Sequence, residues 1–96
     1  MLFEWDENKR LGNLEKHGID FQDAEYFFDF DPLCFVDHRQ DYGEKRFVAF
    51  GKINGRLIIT AYTLRAEKVR IISMRKANAR ERDLYDKYIQ NGVGEG

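Results

Sequence analysis

The dipeptide Asn54-Gly55, set between two apolar runs, is the feature that most constrains how this chain can fold. Asn and Gly both adopt a positive φ at little cost, so this pair between strands is typical of the type I′ turn of a β-hairpin. The sequence therefore predicts two antiparallel strands, over residues 46–53 and 56–64, joined by a two-residue loop.

The short loop also fixes the predicted pairing of the hairpin. Ile53 pairs with Arg56, which places Val48 opposite Ala61. Successive side chains of a strand point to opposite faces, and one face of this hairpin is then strongly apolar. That face carries Val48, Phe50, Leu57, Ile59 and Ala61, with Arg46, Lys52 and Thr63 at its ends. We predict that the helices of the protein pack on this face.

A third strand and a terminal helix are predicted between residues 68 and 88. The run 68–76 is apolar on both sides, as in an interior strand. Simple alternation gives two sets of side chains: Val69, Ile71 and Ser73 on one face and Arg70, Ile72 and Met74 on the other. From Ala79 onward, Leu84 and Tyr88 recur at helical spacing. Cations surround the join between strand and helix, so this corner is a candidate for binding phosphate groups.

The N-terminal third is predicted to contain two short helices. Asp6 is a good N-cap for a helix over residues 8–17, and Gly18 is the expected stop. Asp20 is a second N-cap, for a helix over residues 21–28. The two helices are therefore expected to be joined by a tight turn at the glycine.

Short connecting segments complete the predicted order. Residues 3–5 are a brief apolar start to the chain, Asp31-Pro32 ends the second helix, and residues 33–36 form a short strand. A mobile loop is predicted over residues 37–44, and the tail over residues 91–96 is expected to be frayed.

These elements predict one small α+β domain spanning residues 1–96, with N-terminal helices, an antiparallel sheet of three to four strands and a C-terminal helix. A length of 96 residues with 43% hydrophobic content is enough for one core. No stretch approaches the roughly 18 apolar residues of a membrane span, and the single Cys34 indicates a reducing compartment. A cytoplasmic protein without membrane association is expected. With only His17, His38 and Cys34 available, no metal site and no cofactor are predicted.

Charge is distributed unevenly along the chain. Residues 1–42 carry four Lys or Arg against eleven Asp or Glu, whereas residues 43–96 carry twelve against six. The net charge of -1 argues against indiscriminate binding to nucleic acid. The basic, strand-rich part is therefore the one expected to meet a polyanion.

Several short motifs, taken in order, resemble one known family. They are the Phe3-Glu4-Trp5-Asp6 start, Asn13 with Lys16-His17-Gly18, the Phe21 and Ala24 pair, Asp31-Pro32, Glu44-Lys45-Arg46, and the ending from Arg70 to Ala77. Each motif alone is weak, but their order and spacing resemble the BrnT family, toxins of type II toxin–antitoxin modules. The resemblance implies a RelE-like fold with a twisted antiparallel sheet. It also implies an endoribonuclease that halts translation by cutting mRNA, free or on the ribosome.

The same resemblance implies a partner. A cognate antitoxin of the BrnA type would bind DNA with one part and wrap the toxin with another. The complex of the family is a heterotetramer that represses its own operon. The toxin would therefore meet operator DNA only through its antitoxin.

RNA cleavage without a metal ion needs a base for the 2′-OH proton, an acid for the leaving 5′-oxygen and cations for the pentacoordinate phosphate. The candidates are His17 as base or acid, Lys16 as a phosphate or proton-transfer group, Arg46, Arg65, Arg75 and Arg80 as stabilising cations, and Tyr85 as acid or base. RelE-like enzymes often rely on Arg, Lys and Tyr, so the resemblance favours the basic corner over a mechanism with two His.

The candidates also have structural explanations. Lys16 and His17 suit a helix C-terminus through the helix macrodipole alone. Arg65 suits an exposed hairpin end, and Tyr85 suits a half-buried core position with its hydroxyl at the rim. The cations of the last helix could form a solvated face with their acidic neighbours. His38 is expected to be an ordinary loop residue.

Three functions stay open on the sequence. The first is an endoribonuclease toxin, which the resemblance favours. The second is a catalytically weak antitoxin-binding protein that acts in operon autoregulation, and the third is a nucleic-acid-binding module without chemistry. A binding module would more often expose stacking aromatic residues on its sheet face.

Overall fold

The computed structural model of the protein describes residues 1–39, 41 and 43–93, with side chains in these ranges up to residue 91. Its elements are β1 (Leu2–Trp5), α1 (Glu7–His17), α2 (Ala24–Asp29), β2 (Leu33–Val36), β3 (Arg46–Ile53), β4 (Arg56–Arg65), β5 (Lys68–Lys76) and α3 (Ala79–Val93). A 3₁₀ turn, Phe21–Asp23, precedes α2. None of the described helices is long and apolar enough to cross a membrane.

Two predicted flexible segments fall partly outside the described residues. The predicted loop over residues 37–44 includes positions 40 and 42, and the predicted frayed tail includes residues 94–96. The last helix is longer than predicted, because α3 continues to Val93.

The sheet has five strands in the order β1-β5-β4-β3-β2. β1 runs parallel to β5, and the other neighbours are antiparallel. The predicted α+β class is confirmed, with one difference: residues 3–5 form part of the edge strand β1, which makes the sheet mixed. Phe3 and Trp5 pack on the core, and Glu4 pairs with Arg70 at 2.6 Å across the parallel register. Core packing and this ion pair hold so short a strand against β5.

The predicted hairpin is confirmed in turn and register. Val48 lies opposite Ala61, and Ile53 lies opposite Arg56. Asn54 has a φ of 52° and Gly55 a φ of 79°, and a type I′ turn requires both to be positive. The local chemistry of these two residues therefore sets the alignment of two central strands.

Asn13 attaches α1 to β5. Its Nδ2 donates to the carbonyls of Ile19 (3.0 Å) and Met74 (2.8 Å), and its Oδ1 accepts from the backbone N–H of Met74 (3.2 Å). β1 pairs with residues 68–71 of β5, and Asn13 satisfies the backbone of β5 beyond the point where β1 ends. Buried backbone groups need such partners, which explains a buried Asn on this helix.

One face of the sheet, the core face, is covered by the 3₁₀ turn and α2. Phe21 and Phe27 are fully buried there. They pack with Ala49, Ile58, Tyr62, Ile71 and Met74 of the sheet. Gly51 allows the close approach of α2, because an added Cβ would lie 2.9 Å from Cε1 of Phe27 and 3.0 Å from Cβ of Pro32.

The opposite face, the cleft face, includes Val48, Phe50, Ile59 and Ala61. The helices were predicted to pack on this face, and for the two N-terminal helices that prediction was wrong. Of the described helices, α3 alone packs here, at one end, where Tyr85 joins the cluster of Leu57, Ile59 and Ala77. Both faces of the hairpin are apolar, so the hydrophobic pattern does not show which face the helices cover. The missing side chain at Gly51 makes room for Phe27 on the core face.

A β-bulge in β5 reverses the predicted alternation. Ile71 pairs with Tyr62 and Ser73 pairs with Ala61, so Ile72 is an extra residue on β5. The predicted alternation is therefore wrong beyond Ile71. Met74 joins the core, and Ser73 and Arg75 share the cleft face with Arg70. Unbroken alternation from Arg70 would have presented Lys76 there instead of Arg75.

Candidate active site

The cleft face forms a cleft of about 600 Å³ where α3 leaves it uncovered. Its floor is apolar: Val48, Phe50, Ile59 and Ala61. One wall comes from β5 and α3: Ser73, Arg75 and Glu81. The other wall comes from the end of β2 and the residues after it: Val36, Asp37, His38 and Arg39. Ligand-binding sites commonly have this size and combine apolar surface with a few polar groups.

Arg75 is the principal cation of the first wall. Its Nη1 and Nη2 donate to the two carboxylate oxygens of Glu81, each at 2.8 Å. The hydrogen bonds from Arg75 lower the pKa of Glu81, and those same bonds raise the pKa of Arg75. Because 37% of the Arg75 side chain is exposed, a ligand in the cleft can still reach its guanidinium.

Glu81 also fixes the start of α3. Its carboxylate accepts from the backbone N–H of Asn78 (2.9 Å), and its own N–H donates to Oδ1 of Asn78 (2.8 Å). This reciprocal pair is a capping box. The same carboxylate therefore begins the helix and orients Arg75, which ties the cation of the cleft to the helix beside it.

His38 and Arg39 form the opposite wall. Arg39 donates through Nε and Nη2 to Asp37, each at 2.9 Å, and the Asp37 side chain is only 5% exposed. Arg39 lies near enough to Arg75 for its charge to oppose the rise in the Arg75 pKa. Arg39 is not among the site residues predicted from the sequence, and the prediction for His38 is an ordinary loop residue. Only their position after the edge strand, beside the hairpin, could have indicated a role.

Arg46 and Arg65 lie together at one end of the sheet. Both approach Glu44, at 3.9 and 3.6 Å. Arg46 is opposite Thr63, which is in turn opposite Arg70, so two arginines share one row of the cleft face next to the row of Val48. The structure thus places a second group of cations beyond the cleft floor.

Tyr85 and Arg80 occupy different surroundings on α3. The Tyr85 ring is half-buried against Leu57 and Ala77, and Nζ of Lys52 lies 5.9 Å from its centroid. This position agrees with the alternative of a core aromatic at the rim. Arg80 is exposed on the first turn of α3 and is outside the set of described residues that line the cleft.

Lys16 and His17 end α1, with Lys16 exposed and His17 half-buried. The helix packs along β5 through Asn13 and Met74, and Met74 belongs to the core face. The structure therefore does not bring Lys16 and His17 together with the described residues of the cleft. Their position at a helix C-terminus is favourable through the macrodipole alone.

Within residues 1–39, 41 and 43–93, no three His, Cys, Asp or Glu side chains form a group that could hold a metal ion.

The sequence matches the model of one known protein family. A family model described as the ribonuclease toxin BrnT of type II toxin–antitoxin systems matches residues 5–81. The chain belongs to the BrnT family. The match ends at Glu81 and so includes every described residue of the cleft walls and floor. A search of curated proteins finds no match. As a BrnT protein, the chain is a ribonuclease toxin whose substrate is RNA and whose partner is an antitoxin.

The cleft of this BrnT protein contains side chains of the types that RNA cleavage uses. Guanidinium groups bind phosphate through two parallel hydrogen bonds, and Arg39 and Arg75 flank the cleft. An imidazole can both donate and accept a proton near neutral pH, and His38 lies on the wall beside Arg39. Two guanidinium groups and an imidazole thus line one space.

Proposed function

We propose that this BrnT toxin is a cytoplasmic endoribonuclease that cleaves RNA in the cleft without a metal ion and thereby inhibits translation. The observation that carries the proposal is Arg75, placed on the cleft wall by the bulge at Ile72 and held there by Glu81, opposite His38 and Arg39. In the proposed step, a ribose 2′-OH gives up its proton as its oxygen attacks the adjacent phosphorus, and the bond from phosphorus to the 5′-oxygen breaks as that oxygen takes up a proton. The products are a 2′,3′-cyclic phosphate and a 5′-hydroxyl.

Arg75 binds the phosphate as negative charge grows on it. A guanidinium has five N–H donors, and Arg75 uses three of them: Nη1 donates to Glu81 and, at 3.4 Å, to the carbonyl of Lys76, and Nη2 donates to Glu81. Donors therefore remain for phosphate oxygens while Glu81 keeps the group in place. Fixed donors aimed at developing charge are among the largest contributions to catalysis.

Proton transfer is assigned to His38, with His17 and Tyr85 as the alternatives from the sequence. His38 is exposed on the cleft wall. Tyr85 is instead half-buried against the cluster of Leu57, Ile59 and Ala77, and His17 lies at the end of α1. We assign Arg46 and Arg65 to flanking phosphates. Lys16 and Arg80 are proposed to contact RNA outside the cleft. Each assignment predicts that the alanine variant lowers cleavage without lowering the melting temperature to the same degree.

The antitoxin is proposed to be of the BrnA type and to form a heterotetramer with the toxin that represses the operon. Membership of the BrnT family supports this partner. The toxin itself has a net charge of -1, so operator DNA is expected to be bound by the antitoxin.

Induced expression tests the proposal in cells. Growth, incorporation of labelled amino acids and RNA integrity are followed for the native chain, Arg75→Ala and Arg56→Ala. Arg56 is an exposed arginine at the start of β4, so its variant makes the same change in charge away from the cleft. The native chain and Arg56→Ala are expected to arrest growth with RNA breakdown, and Arg75→Ala is not. Intact RNA with the native chain, or equal effects of the two variants, would contradict the proposal.

A further inference from the structure

We propose that the apolar floor of the cleft binds one unpaired nucleobase of the substrate, so that this toxin acts on single-stranded RNA and not on the double helix. The inference deepens the proposed function and rests on it. In this arrangement the base lies against the floor while the arginines bind the phosphates.

The floor is made by four side chains of the two central strands. Val48 lies opposite Ala61 and Phe50 lies opposite Ile59, so the four form a continuous apolar surface. The ring of Phe50 is fixed by an edge contact with Phe35, at 5.9 Å between centroids. A phosphate gains nothing from such a surface, because phosphates are bound by cations and N–H donors. The flat face of a base does gain from it.

The walls suit the remaining parts of a nucleotide. Ser73, Arg75 and Glu81 stand on one side of the floor, and Asp37, His38 and Arg39 stand on the other. A base has hydrogen-bonding groups only at its edges, where these polar side chains lie. The two arginines place positive charge on both sides, so the phosphates that flank the base have partners. An apolar floor between two walls that each carry an arginine therefore complements one nucleotide.

A base in a double helix cannot reach this floor. In A-form RNA the bases are stacked, and the major groove is too deep and narrow for protein side chains to read. The floor of the cleft lies between two walls, so a base must leave its stack and turn outward to enter it. Single strands, loops and ends present bases in that way.

Binding is tested with a short RNA that is 2′-O-methylated throughout. This RNA lacks the 2′-OH nucleophile and therefore stays intact, and it is used alone and annealed to its complement. Native protein is expected to bind the single strand about tenfold or more tightly than the duplex at equal salt, the scale of one stacked base. Ala61→Leu fills the floor, keeps every charged side chain of the two walls and is expected to remove that preference.

The matched control is Ala79→Leu, the same substitution at an exposed position on the first turn of α3. It is expected to bind both RNAs like the native chain. Melting temperatures show whether each variant is folded. If Ala61→Leu does not fold, the native chain is crosslinked to the same RNA carrying 4-thiouridine. The crosslink is then expected in the tryptic peptide of residues 47–52, which contains Val48 and Phe50.

The outcomes distinguish this inference from the proposed function. Equal binding of single strand and duplex, or crosslinks confined to wall peptides, would overturn the base site and leave the ribonuclease standing. A folded Ala61→Leu protein that binds RNA normally but loses its antitoxin would assign the floor to the antitoxin and also overturn it. A chain that binds unpaired RNA on the floor yet cleaves none would support the base site and overturn the proposed function.

Discussion

Single side chains determine how closely α2 approaches the sheet. They also determine whether the buried polar groups of the sheet have hydrogen-bond partners. Gly51 leaves room for the ring of Phe27, and Asn13 satisfies the backbone of Met74. Thr60 differs from Asn13, because its fully buried hydroxyl has no hydrogen-bond partner. Packing and polar satisfaction can therefore be tested one residue at a time.

Gly51→Ala should destabilise the protein by about 1–3 kcal/mol, because the new methyl group meets the buried ring of Phe27 at 2.9 Å. Urea unfolding measures this change. Gly12→Ala is the matched control: Gly12 lies within α1 with nothing within 4 Å of an added Cβ, and alanine there should stabilise by about 0.5–1 kcal/mol. If both substitutions shift the free energy of unfolding in the same direction, the packing of α2 on β3 is not as described.

Thr60→Val should stabilise the protein by about 1 kcal/mol, because it replaces an unpaired buried hydroxyl with a methyl group of the same shape. Thr63→Val should have the opposite sign, since the Thr63 hydroxyl donates to the carbonyl of Lys45 at 2.7 Å. Thermal and urea unfolding of the two variants give the comparison. A destabilised Thr60→Val protein would mean that the hydroxyl has a partner in solution.

The elements show which local signals determine this fold. The turn at Asn54-Gly55 fixed the hairpin register because its chemistry is confined to two residues. The bulge at Ile72 was not predictable, because Ile72 and Met74 are both apolar and only the packing of the core decides which of them is buried. The side chain that reaches the cleft, Arg75 instead of Lys76, follows from that choice.

Glu81→Gln should lower stability at pH 7 by about 1 kcal/mol, because glutamine can keep the capping box but loses the charged pair with the partly exposed Arg75. Arg75 lowers the pKa of Glu81 below its ordinary 4.5 in the folded protein. The stabilisation from this carboxylate is therefore complete above about pH 4.5 and is lost as the pH falls through the folded-state pKa. The difference between native and Glu81→Gln protein should shrink in the same range.

Urea unfolding from pH 7 to pH 3 measures this dependence. Asp83→Asn is the control, because Asp83 forms only an exposed pair with Lys87 on the same helix. Its effect should be small at every pH. A Glu81→Gln deficit that stays constant down to pH 3 would show that the pair with Arg75 does not hold the carboxylate charged.

At the scale of the whole molecule, the sequence predicted the fold class better than the arrangement of the site. The positions of β2 to β5 and the caps of α1 at Asp6 and Gly18 depend on local signals, and they were confirmed, whereas the edge strand β1 was not predicted. The face on which the helices pack and the approach of His38 and Arg39 to Arg75 depend on residues far apart in sequence. Periodicity contains no such information, so the wall formed after β2 appeared only in the structure.

A small number of phosphate contacts predicts a modest salt dependence of RNA binding. With Arg39, Arg46, Arg65 and Arg75 on phosphates, log K for a single strand should fall with log salt with a slope of about −3. Arg75→Ala should reduce the slope by about 0.7, whereas Arg56→Ala should leave it unchanged. Titrations at several salt concentrations measure both. A much steeper slope would indicate an RNA path well beyond the cleft.

The chemical ends of the RNA fragments test the central proposal most directly. RNA from cells expressing the native chain, Arg75→Ala or Arg56→Ala is analysed for the groups at each new end. Attack by the 2′-oxygen predicts 2′,3′-cyclic phosphates and 5′-hydroxyls with the native chain and Arg56→Ala, and none with Arg75→Ala. Fragments with 5′-phosphates, or cleavage by Arg75→Ala at the native rate, would contradict a metal-free reaction that depends on Arg75.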